Sequence, residues 1–254
     1  MVVSVLAAFS CGAGTFTVSP IADAFVTPGA SGSLSSSNFG NAGALAIAAS
    51  GLPQGEFQSV IKFDLSSVRS SLDAQYGAGL WSVQSVTLQL TATPHNNAIF
   101  NNIAAGHFGI SLMQNNSWVE GTGTGGVPSS DGISFTTLQG TYINNATDQA
   151  LGTFSFAGGT SGANTYSLNL TSGIINDLVA GDDLSLRLSA ADSQVSYLFG
   201  SRSGGAVTQP ILTVTAVPEP DSRSLLAMGS VTFFLWWFGK RKNFRNIFHF
   251  RASQ

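Results

Sequence analysis

Charge is scarce in this chain and cysteine nearly absent. Of 254 residues, 10 are Lys or Arg and 13 are Asp or Glu. A single cysteine, Cys11, excludes an intrachain disulfide. No basic patch occurs before residue 240, which argues against nucleic-acid binding by the body of the chain. The usual catalytic signatures are also missing. The three histidines, His95, His107 and His249, form no His-Glu-x-x-His pair. The glycine-rich run Gly121 to Gly126 is not followed by Gly-Lys-Ser/Thr, so it is no phosphate cradle. No Gly-x-Ser-x-Gly nucleophile elbow is present. A glycosidase needs two carboxylates set about 5–9.5 Å apart. Glu56 and Glu120 are the only glutamates before Glu219, and nothing in the sequence joins them.

What is present is alternation with a period of two, the mark of half-buried strands. Ile61, Phe63 and Leu65 share one face, as do Val86, Leu88 and Leu90. Phe108, Ile110 and Leu112 repeat the device, followed by Tyr166, Leu168 and Leu170 and by Leu184, Leu186 and Leu188. The last such segment is Ile211 to Thr215. Faces of this kind need a second sheet to cover them. About eight strands joined by Gly- and Asn-rich connections predict an all-β fold, a jelly-roll-like β-sandwich. One short helix is predicted over Ser172 to Ala180, with Ile174, Ile175, Leu178 and Val179 on its apolar face and Thr171 or Ser172 as cap. Gly181-Asp182-Asp183 reads as the turn that follows. Val119 to Gly152 carries few strand signals and reads as a surface excursion.

The two ends differ from the body. Residues 1–14 read as a partial signal peptide: an apolar run from Met1 to Phe9, then small residues suited to cleavage, without the usual basic start. A start codon assigned too late would account for that. All 13 acids lie at or before Asp221 and five of the 10 basic residues lie in 240–254, leaving net −8 on residues 1–239 and +5 on the tail. Between them, Leu225 to Gly239 is uncharged. It is short against the ~20 residues of a spanning helix, but Trp236, Trp237 and Phe238 sit beside the cations, as at a membrane interface. A single transmembrane helix over 224–239 is the resulting expectation, with Lys240, Arg241 and Lys242 as its cytoplasmic basic flank.

Val217-Pro218-Glu219-Pro220, the apolar run and the basic tail, in that order, resemble a PEP-CTERM sorting signal. The resemblance implies export, a transient tether to the inner membrane, and processing by an exosortase-like membrane protease. The chain then divides into residues 1–14, a secreted domain over 15–216, and a removable signal over 217–254: motif 217–220, transmembrane segment 224–239 and basic tail 240–254.

A second resemblance spans roughly Ala22 to Thr215. Ala22-Asp23-Ala24-Phe25-Val26, Asn38-Phe39-Gly40 and Leu45-Ala46-Ile47 are similar to the opening strands of DNRLRE-type domains. Ser59-Val60-Ile61-Lys62-Phe63-Asp64-Leu65-Ser66-Ser67-Val68 resembles that family's most recognisable strand, in which a basic residue precedes Phe-Asp-Leu. Trp118-Val119-Glu120-Gly121-Thr122 resembles that family's Trp-x-Glu-Gly-Thr element, and Phe199-Gly200-Ser201-Arg202 its closing part. The second Trp expected soon after Thr122 is absent, and Ser203 stands where an acid often follows Ser-Arg. The resemblance implies a secreted β-sandwich related to carbohydrate-binding modules.

On this reading the chain is a cell-surface or extracellular-matrix protein: a non-catalytic module that binds exopolysaccharide or builds structure. A polysaccharide-degrading enzyme and a purely structural adhesin are the alternatives. Sugars stack on exposed aromatics, for which Trp81, Trp118, Tyr76 and Tyr197 are candidates. The ligand-binding set is Trp118, Glu120 and Arg202. Lys62 and Arg202 are also candidates to pair with Asp64 or Asp23 in a structural role. No cofactor is expected beyond a structural calcium at Asp182 and Asp183, whose oxygens suit that ion.

Overall fold

The computed structural model describes residues 12–93, 100, 105–159 and 161–219. The chain falls into two units, Met1–Val217 and Pro218–Gln254. The predicted membrane span, Lys240, Arg241 and Lys242 lie outside the described residues, as does most of the predicted signal peptide.

The first unit is built mainly of antiparallel strands. In chain order they are β1 (Gly14–Val18), β2 (Ala22–Val26), β3 (Ala44–Ala48), β4 (Gln58–Asp64), helix α1 (Ser66–Tyr76), β5 (Trp81–Thr91), β6 (Gly106–Met113), the short α2 (Phe135–Thr137), β7 (Gln149–Phe156), β8 (Ala163–Leu168), helix α3 (Ser172–Ala180), β9 (Asp183–Ala190), β10 (Ser196–Gly200) and β11 (Ile211–Pro218). They form a four-stranded sheet β1-β11-β5-β8, a five-stranded sheet β2-β4-β9-β6-β7, and a ribbon β10-β3. The pairing is nested. β6 pairs with β7, β5 with β8, β4 with β9, β3 with β10 and β1 with β11. The chain thus doubles back on itself as one long hairpin, folded between the sheets. β2 is added at the edge, beside β4.

The predicted apolar faces meet in a sandwich-like core. Ile61, Phe63, Leu65, Val86, Leu88, Leu90, Phe108, Ile110, Leu112 and Leu184, Leu186 and Leu188 all belong to one buried cluster. Burying each such side chain stabilises the fold by roughly 1.5–3 kcal/mol. Edge-on ring contacts add order to it: Phe108 to Tyr166 at 5.1 Å between centroids, and Phe156 to Tyr197 at 4.7 Å. Leu170 breaks the predicted pattern, because β8 ends at Leu168 and leaves Leu170 exposed.

Among the described residues two α-helices longer than a turn, α1 and α3, stand where one was predicted. α3 has the predicted bounds, but only Ile174 and Leu178 are buried, while Ile175 and Val179 face solvent. Thr171 makes no side-chain cap; Gln149 Oε1 accepts the N–H of Gly173 instead. Gly181, at φ +70°, ends the helix in the left-handed conformation. The unpredicted α1 begins where Asp64 Oδ1 accepts the N–H of Ser66 at 2.8 Å. It turns Val68 and Leu72 into the main core and stops at Gly77, φ +95°.

The stretch after β6 is no loose excursion. Trp118, Ile133 and Leu138 form a second buried cluster with Ala24, Val26, Val60 and Met113. These last four lie on the outer face of the five-stranded sheet, opposite the residues of the main core. A third cluster, of Phe25, Phe39, Phe57 and Phe100, covers Ala46 and Ala48 on the outside of the ribbon. β4 is consequently buried on both faces, not on one.

Candidate functional site

Register brings three distant segments together at the start of β2. Asp23 lies opposite Ile61 in the β2–β4 pair, and its side chain is fully buried. Its backbone N–H donates to Glu120 Oε1 at 3.1 Å, and its Oδ2 accepts the backbone N–H of Arg202 at 2.6 Å. The Arg202 guanidinium then closes the ring with a salt bridge to Glu120 Oε2. The two predicted residues Glu120 and Arg202 therefore meet, and Asp23, named from the sequence as a candidate structural partner of Arg202, is the third member, reached through the Arg202 backbone N–H. Burial pushes the Asp23 carboxyl up to about 7, against the backbone N–H of Arg202, which lowers it. Glu120, in turn, holds the Arg202 guanidinium above its ordinary value. Asp23 Oδ1 has no partner.

Trp118 is not at a rim. It is 1% exposed, and its indole N–H donates to Ser185 Oγ at 2.9 Å. Lys62 lies over the ring and donates to the backbone carbonyls of Asn116 and Trp118. No face of the indole is left for a pyranose, so the predicted stacking role is corrected. Its polar neighbours, Asn115 to Ser117, are the reason for the misreading: they belong to the turn that carries Trp118 down onto the sheet. The other aromatic candidates are spoken for as well. Tyr197 is fully buried, Trp81 donates to Asp73, and Tyr76 donates to the carbonyl of Ala216.

The glycine-rich run after Glu120 is held by Asn38, which sequence reading did not single out as a functional residue. Asn38 donates to the carbonyls of Glu120 and Ile133 and accepts the N–H groups of Gly40 and Gly123. Gly123 packs so close to the Asn38 backbone that a Cβ would collide with it. Asp131 adds a second tie, accepting the N–H and hydroxyl of Thr122 and the hydroxyl of Ser129. Those donors hold its carboxyl down at about 2. The glycines thus serve close packing and turn geometry.

Two concavities lie elsewhere. A cavity of about 290 Å³ is lined by Phe25, Phe39, Phe57, Phe100 and Leu198 outside the ribbon. A polar cleft of about 390 Å³ runs between Glu56 and Asp192, where Asp192 also accepts from His107 at 2.7 Å. Glu56 contacts Gln58, which is paired with Val26 at the far end of β2 from Asp23. Glu56 and Glu120 are therefore served by opposite ends of that strand, ~10 Å apart at about 3.3 Å per residue.

Asp182 and Asp183 sit where α3 turns into β9. Their carbonyls accept from the Leu65 N–H and from Asn116 Nδ2, respectively. Burial and the Asp182 charge push Asp177 up to about 6. Among the described residues no group of three or more potential ligands forms a metal site. In the sorting segment, Val217 and Pro218 finish β11 and Glu219 is exposed beyond it, while Pro220 lies outside the described residues. Among the described residues no helix is long and apolar enough to cross a membrane.

No protein-family model matches the chain, and no curated protein matches it. Among solved structures, the empty virus-like particle of Cowpea Mosaic Virus is similar over 80% of this chain and 81% of that one, at 10% identity and a TM-score of 0.24. A likeness that slight carries no argument.

Proposed function

We propose that the chain is an exported jelly-roll module of the cell surface or extracellular matrix, non-catalytic, that faces exopolysaccharide and is released from a membrane tether at Val217 to Pro220. The observation that supports this most is the pairing of the first strand with the last. β1 and β11 are in register from Gly14↔Ala216 to Val18↔Leu212, so the fold is closed one residue before the Val-Pro-Glu-Pro motif begins. Cutting after that point removes the address and leaves every paired strand in place. The nested pairing supports the jelly-roll assignment, since a doubled chain rolled between two sheets is that topology. The Glu120 carboxylate accepts from the Asp23 backbone N–H and the Arg202 guanidinium, and the Asp23 carboxyl accepts from the Arg202 backbone N–H, which favours a clasp over an acid–base pair.

Removal of residues 217–254 tests the sorting reading. Wild-type protein should be held at the inner membrane and then released in a shortened form; the truncated chain should skip the held form. Identical fractionation and mass of the two would overturn it. Incubation with the producing strain's own exopolysaccharide tests the non-catalytic part: no new reducing ends should form, and their appearance would restore the hydrolase alternative.

A further inference from the structure

The four-stranded sheet differs from the rest of the molecule on its outer side. Side chains alternate along β1, β11, β8 and the half of β5 from Val86 onward, with Phe16, Val18, Leu212, Val214, Val86, Leu88, Leu90, Tyr166 and Leu168 turned into the main core. The first half of β5 breaks the alternation, since Trp81 and Val83 pack on that core too. The residues between them therefore point outward. On β1 and β11 these are Thr15 and Thr17 beside Thr215 and Thr213, each directly opposite its partner. On β5 and β8 they are Thr87 beside Ser167 and Gln89 beside Thr165. All are exposed or half-buried. The Thr15 and Thr215 hydroxyls lie 3.3 Å apart and link β1 to β11 on this face.

Two further facts set this face apart. First, none of the four strands contains a charged residue, although β2, β4 and β9 of the other sheet carry Asp23, Lys62, Asp64, Asp183 and Arg187. Edge strands ordinarily carry charges, above all lysine, that discourage pairing with other chains; β1 and β8 are edges and have none. Second, the outer clusters of the described residues cover only the five-stranded sheet and the ribbon. The hydroxyl-bearing face is the one left uncovered by them.

We infer that the outer face of β1-β11-β5-β8 is a binding surface for an extended, uncharged polysaccharide laid across the strands. The inference rests on the polysaccharide-facing reading above and names its site and ligand class. Neighbouring strands repeat every ~4.8 Å, close to the advance of one sugar ring along an extended chain, so successive rings meet successive hydroxyl-bearing strands. Each Thr or Ser hydroxyl both donates and accepts, as sugar hydroxyls do, and each Thr methyl offers an apolar contact to a ring C–H face. A charge here would need desolvating against a neutral chain at considerable cost, and its absence removes that cost. A polyanion, by contrast, finds no cation on these strands.

The test uses the full-length protein in detergent micelles and three insoluble neutral polymers: cellulose, curdlan and starch. At least one should deplete the protein from solution, with retention unchanged between about 0.05 and 1 M NaCl because no ion pair is involved. Thr17→Lys with Thr165→Lys should lower retention about tenfold or more, while Ser31→Lys, in an exposed loop, leaves it unchanged. Thr17→Val with Thr165→Val keeps shape and removes hydroxyls; it guards against a lysine pair that fails to fold, and it too should lower retention. If both pairs bind like the unaltered chain, this face is overturned and the polysaccharide reading survives. If no neutral polymer retains the unaltered chain, both fall. Retention that vanishes at high salt also overturns the inference, since charge elsewhere would then carry it.

Discussion

The ammonium of Lys62 lies 4.7 Å from the centre of the Trp118 ring, and the same nitrogen donates to the Trp118 carbonyl at 2.8 Å. One lysine therefore holds both the face and the backbone of the residue that anchors the outer layer. Burial lowers the Lys62 pKa, and the nearby Asp183 partly offsets this. Trp118→Ala should cost about 3–5 kcal/mol, the usual penalty for emptying a large aromatic site. Trp118→Phe should cost about 1–2 kcal/mol, through the indole bond to Ser185 and some volume. Lys62→Met keeps the stem but leaves two carbonyls without their donor, at about 1–3 kcal/mol. Urea unfolding midpoints measure all three. A Trp118→Ala chain as stable as its parent would mean that the indole is exposed after all.

Asp23 makes stability depend on pH. Its carboxyl titrates at about 7 in the fold against an ordinary 3.8. The folded chain thus keeps this proton over a range in which the unfolded chain has lost it. Stability from this group is complete below about pH 4 and drains as pH rises to about 7, by roughly 4 kcal/mol at ~1.4 kcal/mol per pH unit. Asp177, raised to about 6, acts in the same direction. Asp131, lowered to about 2, acts oppositely and only below pH 4. The informative quantity is therefore the difference between the parent and Asp23→Asn. That difference should move in favour of the variant between pH 4 and 7 and then level off. Parallel stability curves would show that Asp23 is ionised in the fold throughout.

The sandwich was legible wherever one face of a strand is buried and the other is wet. Val86, Leu88 and Leu90 announce their direction because Thr87 and Gln89 separate them. β4 hid half of its environment, because Val60 and Lys62 are covered by a layer that has no strand period of its own. Trp118 was misread for the same reason: its burial comes from a partner sheet far away in sequence, while its neighbours are polar. α1 was missed because serine fills most of its first exposed turn, at Ser66, Ser67 and Ser70, and the carboxylate that caps it comes from Asp64, the last residue of a strand. Val68 and Leu72, four apart and followed by Gly77, were the available signal. Glu120 and Arg202 were recognisable as separate motif residues and Asp23 as a candidate partner of Arg202, but the three-way contact comes from long-range packing of β2 beside the segments that carry Glu120 and Arg202, which no local pattern encodes.

The rotation of α3 is open to a direct check. Ile174 is fully buried and Ile175 is 38% exposed. Ile174→Ala should cost about 2–4 kcal/mol. Ile175→Ala should fall within about 1 kcal/mol of the parent, since it gives up little buried surface and gains helix propensity. Thermal or urea unfolding separates these outcomes, and equal costs would place both residues in the core, as the 3.6-residue pattern first suggests.

Asn38 is the residue on which the segment after Glu120 most depends. It satisfies four backbone groups, two carbonyls and two N–H, that are contributed by Gly40, Glu120, Gly123 and Ile133. Asn38→Ala leaves them without partners in a site closed to water, at about 1–3 kcal/mol for each one that cannot find another. A total near or above 3 kcal/mol follows. Asn38→Asp should be nearly as harmful, because a carboxylate cannot donate to the two carbonyls. Gly123→Ala should reproduce the damage from the other side, since its methyl meets the Asn38 backbone. The distinguishing measurement is amide exchange. Protection at Gly123 and Ile133 should collapse in all three variants while the paired amides of β4 and β9 stay slow. Uniform loss across the sheets would mean that the layer and the sandwich unfold as one unit, and unchanged protection at Gly123 would remove Asn38 from its role.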